Sequence, residues 1–403
     1  MAAASPVVST APSPTPISTP AASPTPAAST LPTVGAAPDG PWTSVRWIDL
    51  GHALPTLATA QSQTSETTLY GWSGGYAAFA SDGGADSETN APPTLVSTSS
   101  ADGVNWTPAT PIDLGSEKNE ILIDQIAEGP AGLVAAGRYQ PATCGGPETI
   151  AALWHSDDGI AWTPMAMSKE MTKGRVFTLD GGPAGYVATG VLRDGTTPGI
   201  WLTTDATTWR SLPLPKPPSG RLVVNDASSF AGGLAVGGAV IGPEGCGGAS
   251  AIHPAVWAST DGTSWTRQTL PGASTGANAS IQVRSLNEAE VVAVDTTGDT
   301  PKAWVSTDGR TWTSVGTPTD DALYNEVTDN RHVLSVSTPD SDQGPMKIEA
   351  IGDRLDGSTI TQSGDVPMMT PDSFGLIPAV GPTGLVLMTT DGSRLWLGVP
   401  SGS

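Results

Sequence analysis

A nine-residue motif, W-x-S/T-x-D-G-x-x-W, recurs along this chain and constrains its fold more than any other feature. The copies are TSSADGVNW (98–106), WHSDDGIAW (154–162), WLTTDATTW (201–209), WASTDGTSW (257–265) and WVSTDGRTW (304–312). The first copy lacks the leading Trp, and the third carries Ala206 where the others carry Gly. Asp accepts hydrogen bonds from the N–H groups of its own turn, and Gly supplies a positive φ. We therefore predict a tight turn at each copy, with a Trp on the strands that enter and leave it.

The spacing of the copies predicts one repeating architecture. The second tryptophans fall at 106, 162, 209, 265 and 312, so the intervals alternate between 56 and 47 residues. Periods of this size are typical of solenoids, propellers and arrays. A chain of 403 residues would otherwise suggest two or three domains. Short apolar runs between Gly and Pro corners predict strands throughout, and long helical patterns are absent.

The motif resembles the Asp box, or bacterial neuraminidase repeat, S/T-x-D-x-G-x-T-W, although here Gly directly follows Asp. In that family the box is the hairpin between the third and fourth strands of a β-propeller blade. It is structural and lies away from the active site. The resemblance implies structural roles for ten residues: Asp102, Asp158, Asp205, Asp261, Asp308, Trp106, Trp162, Trp209, Trp265 and Trp312.

The sequence predicts an all-β, seven-bladed propeller, with six blades as the alternative. The expected blades span residues 65–115, 119–168, 174–215, 220–271, 279–318, 322–366 and 372–399. The sixth turns at Asp356-Gly357 instead of a box, and Asp391-Gly392 falls between the second and third strands of the seventh. The seventh has only three strands. Residues 42–51 (WTSVRWIDLG) echo residues 106–115 (WTPATPIDLG), which follow a box, so we predict that the N-terminal segment supplies the fourth strand and closes the ring.

The first 40 residues have a different composition. They are almost entirely Pro, Ala, Ser and Thr, with Asp39 as the one charge. Such a segment predicts an extended, disordered tether ahead of a folded domain at 41–403. It resembles the stalk behind the signal or lipobox cleavage site of secreted actinobacterial lipoproteins. That resemblance implies an extracellular or envelope-tethered protein, held to a membrane only through a processed anchor upstream of the tail. The alternative is the disordered terminus of a cytoplasmic protein.

Charge narrows the range of partners. The formal net charge is −21, with 18 Lys and Arg against 39 Asp and Glu, which disfavours nucleic acid. No apolar run is long enough to span a membrane. The carboxylates form no Asp-x-Asp-x-Asp loop, and no nucleotide-binding loop is present. We expect no metal or other cofactor, and a monomer.

Two cysteines lie in matching contexts. Cys144 and Cys246 each begin a C-G-G sequence, ten residues before Trp154 and eleven before Trp257 respectively. In an exported protein two cysteines favour a disulfide. Free thiols in surface loops are the alternative.

Propeller connectivity puts the loops between second and third strands on the same face as the links between blades, where such folds usually bind. The candidate ligand-binding residues there are Arg138, Tyr139, Glu148, Arg193, Asp194, Glu244 and His253. The resemblance raises two functions, a non-catalytic propeller that binds a glycan, peptide or protein, and a sialidase-like glycoside hydrolase. The early R-I-P arginine motif of the sialidases is absent and the chain has only five tyrosines. We therefore favour the binder and assign no catalytic residue.

Overall fold

The computed structural model builds the chain from short, mostly antiparallel strands. It describes residues 42, 44–52, 67–81, 95–112, 119–141, 150–217, 219–244, 250–274, 280–286, 288–295, 302–315, 326–328, 333–337, 344–345, 347–351, 358–369, 376–390, 392 and 394–400. The predicted tether, both cysteines, Glu148, Asp356-Gly357 and Asp391 lie outside these residues. Within them, the one helical segment is a single 3-10 turn, Met171–Lys173, and no helix has the length and apolarity to cross a membrane.

The strands, numbered from β1 (Ser44–His52), form consecutive sheets. Sheet I is β2 (Thr67–Trp72), β3 (Gly75–Ser81), β4 (Leu95–Ser100) and β5 (Thr110–Pro111). Sheet II is β6 (Asn119–Gly129), β7 (Gly132–Pro141), β8 (Ile150–Ser156) and β9 (Thr163–Pro164). Sheet III is β10 (Arg175–Gly182), β11 (Gly185–Val191), β12 (Pro198–Thr203) and β13 (Arg210–Ser211), and sheet IV is β14 (Arg221–Phe230), β15 (Gly233–Glu244), β16 (Ser250–Ser259) and β17 (Thr266–Gln268).

The remaining strands complete the set. Sheet V is β18 (Ile281–Ser285), β19 (Val291–Asp295), β20 (Lys302–Ser306) and β21 (Thr313–Val315). Sheet VI is β22 (Glu326–Thr328), β23 (Val333–Ser337), β25 (Lys347–Ile351) and β26 (Ser358–Thr359). Sheet VII holds β29 (Leu376–Gly381), β30 (Gly384–Thr389), β31 (Arg394–Pro400), β1 and β27 (Thr361–Gly364), while β24 (Gly344–Pro345) pairs with β28 (Met368–Met369). Among the described residues there are thus six sheets of four strands, one of five and one of two.

These sheets form a ring. In sheets I to VI the strand order follows the chain, and neighbouring strands are antiparallel. The first strand of a sheet contacts the first strand of the next at the boundaries I–II, II–III, III–IV, IV–V, VI–VII and VII–I. A ring of antiparallel sheets with their first strands innermost is a β-propeller. We call the edge with the turns between strands 1–2 and 3–4 the lower edge. The upper edge carries the 2–3 loops and the links between sheets.

The predicted closure by the N-terminal strand is confirmed. β1 pairs antiparallel with β31, from Val45 opposite Pro400 to Asp49 opposite Trp396. Trp47 on β1 is 1% exposed, and its indole donates a 2.8 Å hydrogen bond to the side chain of Gln362.

The sixth segment was predicted wrongly at its end. Residues 361–364, expected in the sixth blade, instead pair in parallel with β1 and form a fifth strand of sheet VII. The physical reason is that β1 would otherwise present an open row of N–H and C=O groups. β1 is therefore paired on both sides.

Apolar side chains fill the spaces between neighbouring sheets. One cluster joins Phe79 of sheet I to Ile123 and Trp154 of sheet II, and the Phe79 ring meets Trp162 edge-on at 5.6 Å between centroids. The leading tryptophans 154, 201 and 304 are almost completely buried on third strands, as the motif predicts. The repeated tryptophans therefore form part of the core between sheets.

The five repeated turns share one hydrogen-bond pattern. In each, the Asp Oδ1 accepts the N–H groups two and three residues ahead at 2.7–2.9 Å, at Asp102, Asp158, Asp205, Asp261 and Asp308. A Ser or Thr two residues earlier donates to the same oxygen. The residue after Asp has positive φ, including Ala206 at 53°, the only such non-Gly residue among those described. The predicted turn chemistry is confirmed.

The second tryptophans differ from the prediction. They lie just before the fourth strand, at the end of the turn, rather than on the strand. The indoles of Trp106, Trp162 and Trp312 donate to the carbonyl of the turn Gly three residues back, at 3.0–3.2 Å. That bond holds the ring against the turn. Trp265 donates instead to Pro213 of the preceding link, at 2.7 Å.

Candidate functional site

At the lower edge the repeated carboxylates are occupied by the chain itself. Hydrogen bonds from backbone N–H groups hold the pKa of Asp158, Asp205, Asp261 and Asp308 below its ordinary value. Burial opposes this at Asp102, but the bonds from Asn105 and Val104 still lower its pKa. Groups ionised at every working pH and already bonded to their own turn are poorly suited to proton transfer. The geometry of these turns is structural.

The upper edge holds the candidate residues that can be described. Arg138 and Tyr139 lie near the end of β7. Arg138 forms an ion pair with Asp124 of β6, and the Tyr139 ring meets Trp154 edge-on at 5.8 Å. Both side chains are partly buried within sheet II. Both residues therefore contribute to the packing of sheet II, and both are also candidates for binding a ligand.

Arg193 and Asp194 lie in the exposed loop between β11 and β12 of sheet III. The Asp194 carboxylate accepts the N–H groups of Thr196 at 3.0 Å and Thr197 at 2.7 Å, and bonds from Thr197 help to lower its pKa to about 2. Asp194 therefore shapes its loop, while the exposed Arg193 side chain is available to a partner.

His253 and Glu244 lie in sheet IV. His253 is exposed on β16 opposite Val240, and Glu244 ends β15 opposite Ser250; the Glu244 side chain lies outside the described part. The candidates thus occupy the upper parts of three consecutive sheets, II, III and IV. Among the described residues, no group of three or more His, Cys, Asp or Glu is placed to hold a metal ion.

The innermost strands of these same three sheets share a β-bulge that sequence reasoning missed. The extra residue is Asp124 in β6, Phe177 in β10 and Asn225 in β14. Bulges re-aim side chains and are frequent beside functional sites. A break in the apolar alternation, as at Val224-Asn225-Asp226, is the signal that would have found them.

The bulges also help to tie neighbouring sheets together. The residue after the bulge in β6, Gln125, accepts the N–H of Leu179 in the next sheet, and Asp226 after the bulge in β14 accepts the N–H of Val283 at 2.8 Å. The bulged Asn225 donates to the carbonyl of Ile281 at 2.9 Å. Of the three bulged residues, Phe177 alone is apolar, and it is 42% exposed.

Sheet III is shorter than its neighbours at the upper edge. The second strands all begin at a lower-edge Gly, but β7 has 10 residues, β11 has 7 and β15 has 12. At roughly 3.3 Å per residue, sheets II and IV extend about 10 and 17 Å beyond sheet III. The upper part of sheet III, with Phe177, therefore lies between two taller sheets.

A second group of polar residues lies near the lower ends of the innermost strands. Asp180 of β10 accepts the N–H of Ser229 in sheet IV at 3.1 Å. Burial raises its pKa to about 6, against hydrogen bonds from Ser228 and Ser229 and the charge of Arg284. Burial also raises the pKa of Tyr70, helped by the charges of Glu128 and Asp180. Arg284 lies near the lower end of β18, away from Arg138 and Arg193 at the upper edge.

Comparison with known proteins adds a likeness of fold. No protein-family model matches the sequence, and a search of curated proteins finds no match. Among solved structures, the chain is similar to the β-propeller domain of the Trilobed protease from Pyrococcus furiosus, with 8% identity, coverage of 85% of this chain and 95% of that one, and a TM-score of 0.47.

Two carbohydrate-active proteins are also similar. The α-L-arabinanase of Penicillium chrysogenum, complexed with arabinobiose, has 14% identity, coverage of 77% and 93%, and a TM-score of 0.39. The Trypanosoma rangeli sialidase, in complex with the inhibitor DANA, has 13% identity, coverage of 90% of this chain and 58% of that one, and a TM-score of 0.40. At these identities and TM-scores the likenesses carry no inference about ligand or activity.

Proposed function

We propose that this protein is an exported, non-catalytic, seven-bladed β-propeller, with sheets I to VII as its blades, that binds a glycan, peptide or protein at its upper edge. The observation that carries the proposal is the contrast between the two edges. The lower-edge carboxylates are bonded to their own turns. The upper edge of sheets II to IV presents exposed Arg193, His253 and Phe177. Exposed polar and aromatic side chains on a rigid scaffold suit recognition.

The rest of the proposal concerns where the protein works. The tether at 1–40 would hold the propeller away from a cell surface, and the five Asp turns would act as Asp boxes that brace the blades. Cys144 and Cys246 would form a disulfide, which mass spectrometry of the unreduced protein tests by counting free thiols. Sedimentation tests the expected monomer, and a crystal structure tests the number of blades.

Binding is tested by screening the full chain on glycan and peptide arrays. Each hit is then measured with an upper-edge variant, R193Q/H253A, and a control, R267Q/R310Q, whose two exposed arginines lie outside the upper edge. We expect hits that the upper-edge variant weakens and the control does not. Equal binding by both variants would locate the ligand elsewhere, and an array without hits would contradict the binder.

A sialidase-like hydrolase is the second candidate, and one observation favours it. Asp180 has a pKa of about 6, raised by burial, which suits a general acid near neutral pH. A panel of fluorogenic sialosides and aryl glycosides tests it. Turnover that D180N abolishes while R267Q/R310Q preserves it would establish the hydrolase. No turnover by the wild-type protein would remove this candidate.

A further inference from the structure

The basic residues of this acidic protein are concentrated around sheet III. Residues 165–221 hold seven of the 18 Lys and Arg residues but only four of the 39 Asp and Glu residues. The local charge is therefore positive within a chain whose formal net charge is −21. Because distant carboxylates repel anions, an anion would approach this protein favourably only where cations dominate locally.

The fold brings five of these cations to the upper edge. Arg175 begins β10, Arg193 follows β11, Arg221 begins β14, and Lys169 and Lys216 lie in the links before and after sheet III. All five side chains are exposed. Arg175 lies opposite Val191 in the ladder, two residues before Arg193, and β14 contacts both β10 and β11. We call these five residues with Phe177 the basic face.

Two acidic residues of this region, Asp194 and Glu170, lie near the basic face and reduce its positive charge little. The Asp194 carboxylate is already bonded to its own loop by Thr196 and Thr197. Glu170 is exposed beside Lys169. In the described part of the chain, none of the five cations of the basic face forms an ion pair with a carboxylate. Their charge is available to a ligand.

Phe177 adds an aromatic surface to these charges. Its ring is 42% exposed, and the Arg175 guanidinium carbon lies 5.3 Å from the ring centroid. The β-bulge in β10 places this residue outside the regular alternation of the ladder. An aromatic face attracts the weakly positive C–H groups of a sugar ring, through the same ring quadrupole that attracts cations.

We propose that the basic face binds an acidic polysaccharide whose sugar rings carry carboxylates. Three of its five cations are Arg, whose planar fork matches a carboxylate in two parallel hydrogen bonds. The cations are spread along one edge, which suits a chain with repeated anions better than a single small ion. The taller sheets II and IV on either side would direct that chain across sheet III. This inference rests on the proposed binding function and names its ligand class.

The test uses polygalacturonate oligomers as the probe and the full chain as the protein. The probe controls are the same oligomers with methyl-esterified carboxyls, which keep the sugar rings but lose the charge, and poly-glutamate of equal charge. The protein variants are R175Q/R193Q, F177A and the control pair R267Q/R310Q. Thermal midpoints establish that each variant is folded, and every substituted side chain is exposed.

We expect wild type to bind polygalacturonate and to prefer it over both probe controls. R175Q/R193Q should weaken binding about tenfold or more and lower the dependence of log Kd on log salt concentration by about two. F177A should weaken binding about fivefold with an unchanged salt dependence, because it removes stacking and no charge. R267Q/R310Q should bind within about twofold of wild type, since rim charges elsewhere contribute little.

Four outcomes would overturn the inference. If R267Q/R310Q weakened binding as much as R175Q/R193Q, the effect would be one of net charge alone. If the esterified oligomers bound as well as polygalacturonate, the carboxylates would have no role. If poly-glutamate bound as well as polygalacturonate, the ligand would be an acidic peptide. Absence of polygalacturonate binding also overturns it. The proposed function survives that result if another array ligand binds and R193Q/H253A abolishes its binding. If no ligand at all depends on the upper edge, the proposed function fails as well.

Discussion

The hydroxyl of Tyr186 in sheet III donates a 2.7 Å hydrogen bond to the carbonyl of Gly132 in sheet II. It also accepts the N–H of Ala131 at 3.1 Å. Tyr76 of sheet I repeats the arrangement with Gly384 of sheet VII, donating to its carbonyl at 2.7 Å and accepting its N–H at 3.1 Å. In both pairs the Tyr directly follows the lower-edge Gly of its own sheet. Its hydroxyl hydrogen-bonds the backbone of the corresponding lower-edge turn in the preceding sheet.

Removing these hydroxyls should destabilise the ring. We expect Y186F and Y76F each to lower the free energy of unfolding by about 1–3 kcal/mol, because each leaves turn groups without their partner. The two tyrosines lie at different boundaries, so the costs should add in the double variant. Chemical denaturation of the four proteins measures this. Unchanged midpoints would show that water replaces the hydroxyls.

Burial raises the pKa of Tyr186 to about 12. The folded protein therefore keeps this hydroxyl protonated at a pH where the unfolded chain loses the proton. By linkage, the contribution of Tyr186 to stability is complete below about pH 10 and declines as pH rises from there through the folded value. The cost of Y186F should accordingly be constant from pH 6 to 9. A cost that varied across that range would place its origin elsewhere.

Deleting residues 42–51 should lower the melting temperature sharply, whereas deleting residues 1–38 should change it little. The first deletion removes β1, which pairs with both β31 and β27, and removes the buried Trp47. Burial of one Trp is itself worth about 3–5 kcal/mol. Equal melting temperatures for the two truncations would contradict the closing role of β1.

Two glycines with the same backbone conformation separate the effect of a contact from that of φ. Gly159 has φ of 73° and Gly272 has φ of 75°, but a Cβ at Gly159 would lie 2.5 Å from the Trp72 ring while one at Gly272 meets nothing within 4 Å. G272A should cost about 1 kcal/mol, for the left-handed conformation alone. We expect G159A to cost at least about 1 kcal/mol more, because the Trp72 ring must move.

Equal costs in that pair would show that the ring of Trp72 yields freely. Ala206 already occupies the corresponding position in sheet III, with φ of 53° and 3% exposure. An alanine is therefore compatible with the turn where the neighbouring sheet leaves room. The comparison thus tests the boundary between sheets I and II rather than the turn itself.

Asp180 should make the protein less stable as pH rises from 4 to 6. Its pKa is raised from an ordinary value of 3.8 to about 6, so in this window the folded protein keeps a proton that the unfolded chain has lost. The stabilisation is complete below about pH 4 and lost above about pH 6. D180N stays neutral and keeps an acceptor for Ser229, so it should remove this decline and raise stability at pH 8 by about 1–3 kcal/mol.

The repeated Asp turns act in the opposite sense. Because the pKa of each Asp carboxylate is lowered, its contribution to the stability of the folded protein is complete above about pH 4 and declines below it. Unfolding measured from pH 3 to 8 in wild type and D180N separates the two effects. A decline between pH 4 and 6 that persists in D180N would assign it to another group.

The sequence predicted local chemistry well and long-range pairing less well. The turn at Asp261-Gly262 could be predicted because its bonds join residues within three positions of each other. The pairing of β1 with β31 could be predicted because residues 42–51 echo an outer strand. The sequence gives no comparable signal for the parallel pairing of Ser44 with Thr361. The strand β27 has only four residues, which is too short for an alternating apolar pattern to be recognised.

At the candidate site, too, one feature could be predicted from the sequence and another could not. Its placement at the upper edge follows from strand connectivity, which the repeat spacing predicts. The exposure of Phe177 could not be predicted in this way, because an apolar residue in a strand pattern is expected inside. The bulge at this position, which depends on the register with β11, overrides that expectation.

The double pairing of β1 has a consequence for biosynthesis. Both of its partners, residues 361–364 and 394–400, follow sheets I to VI in the sequence. β1 is therefore made before either of its partners and stays without them while sheets I to VI are synthesised. Closure by β1 joins segments with a very large sequence separation, so it comes late in the folding of the ring.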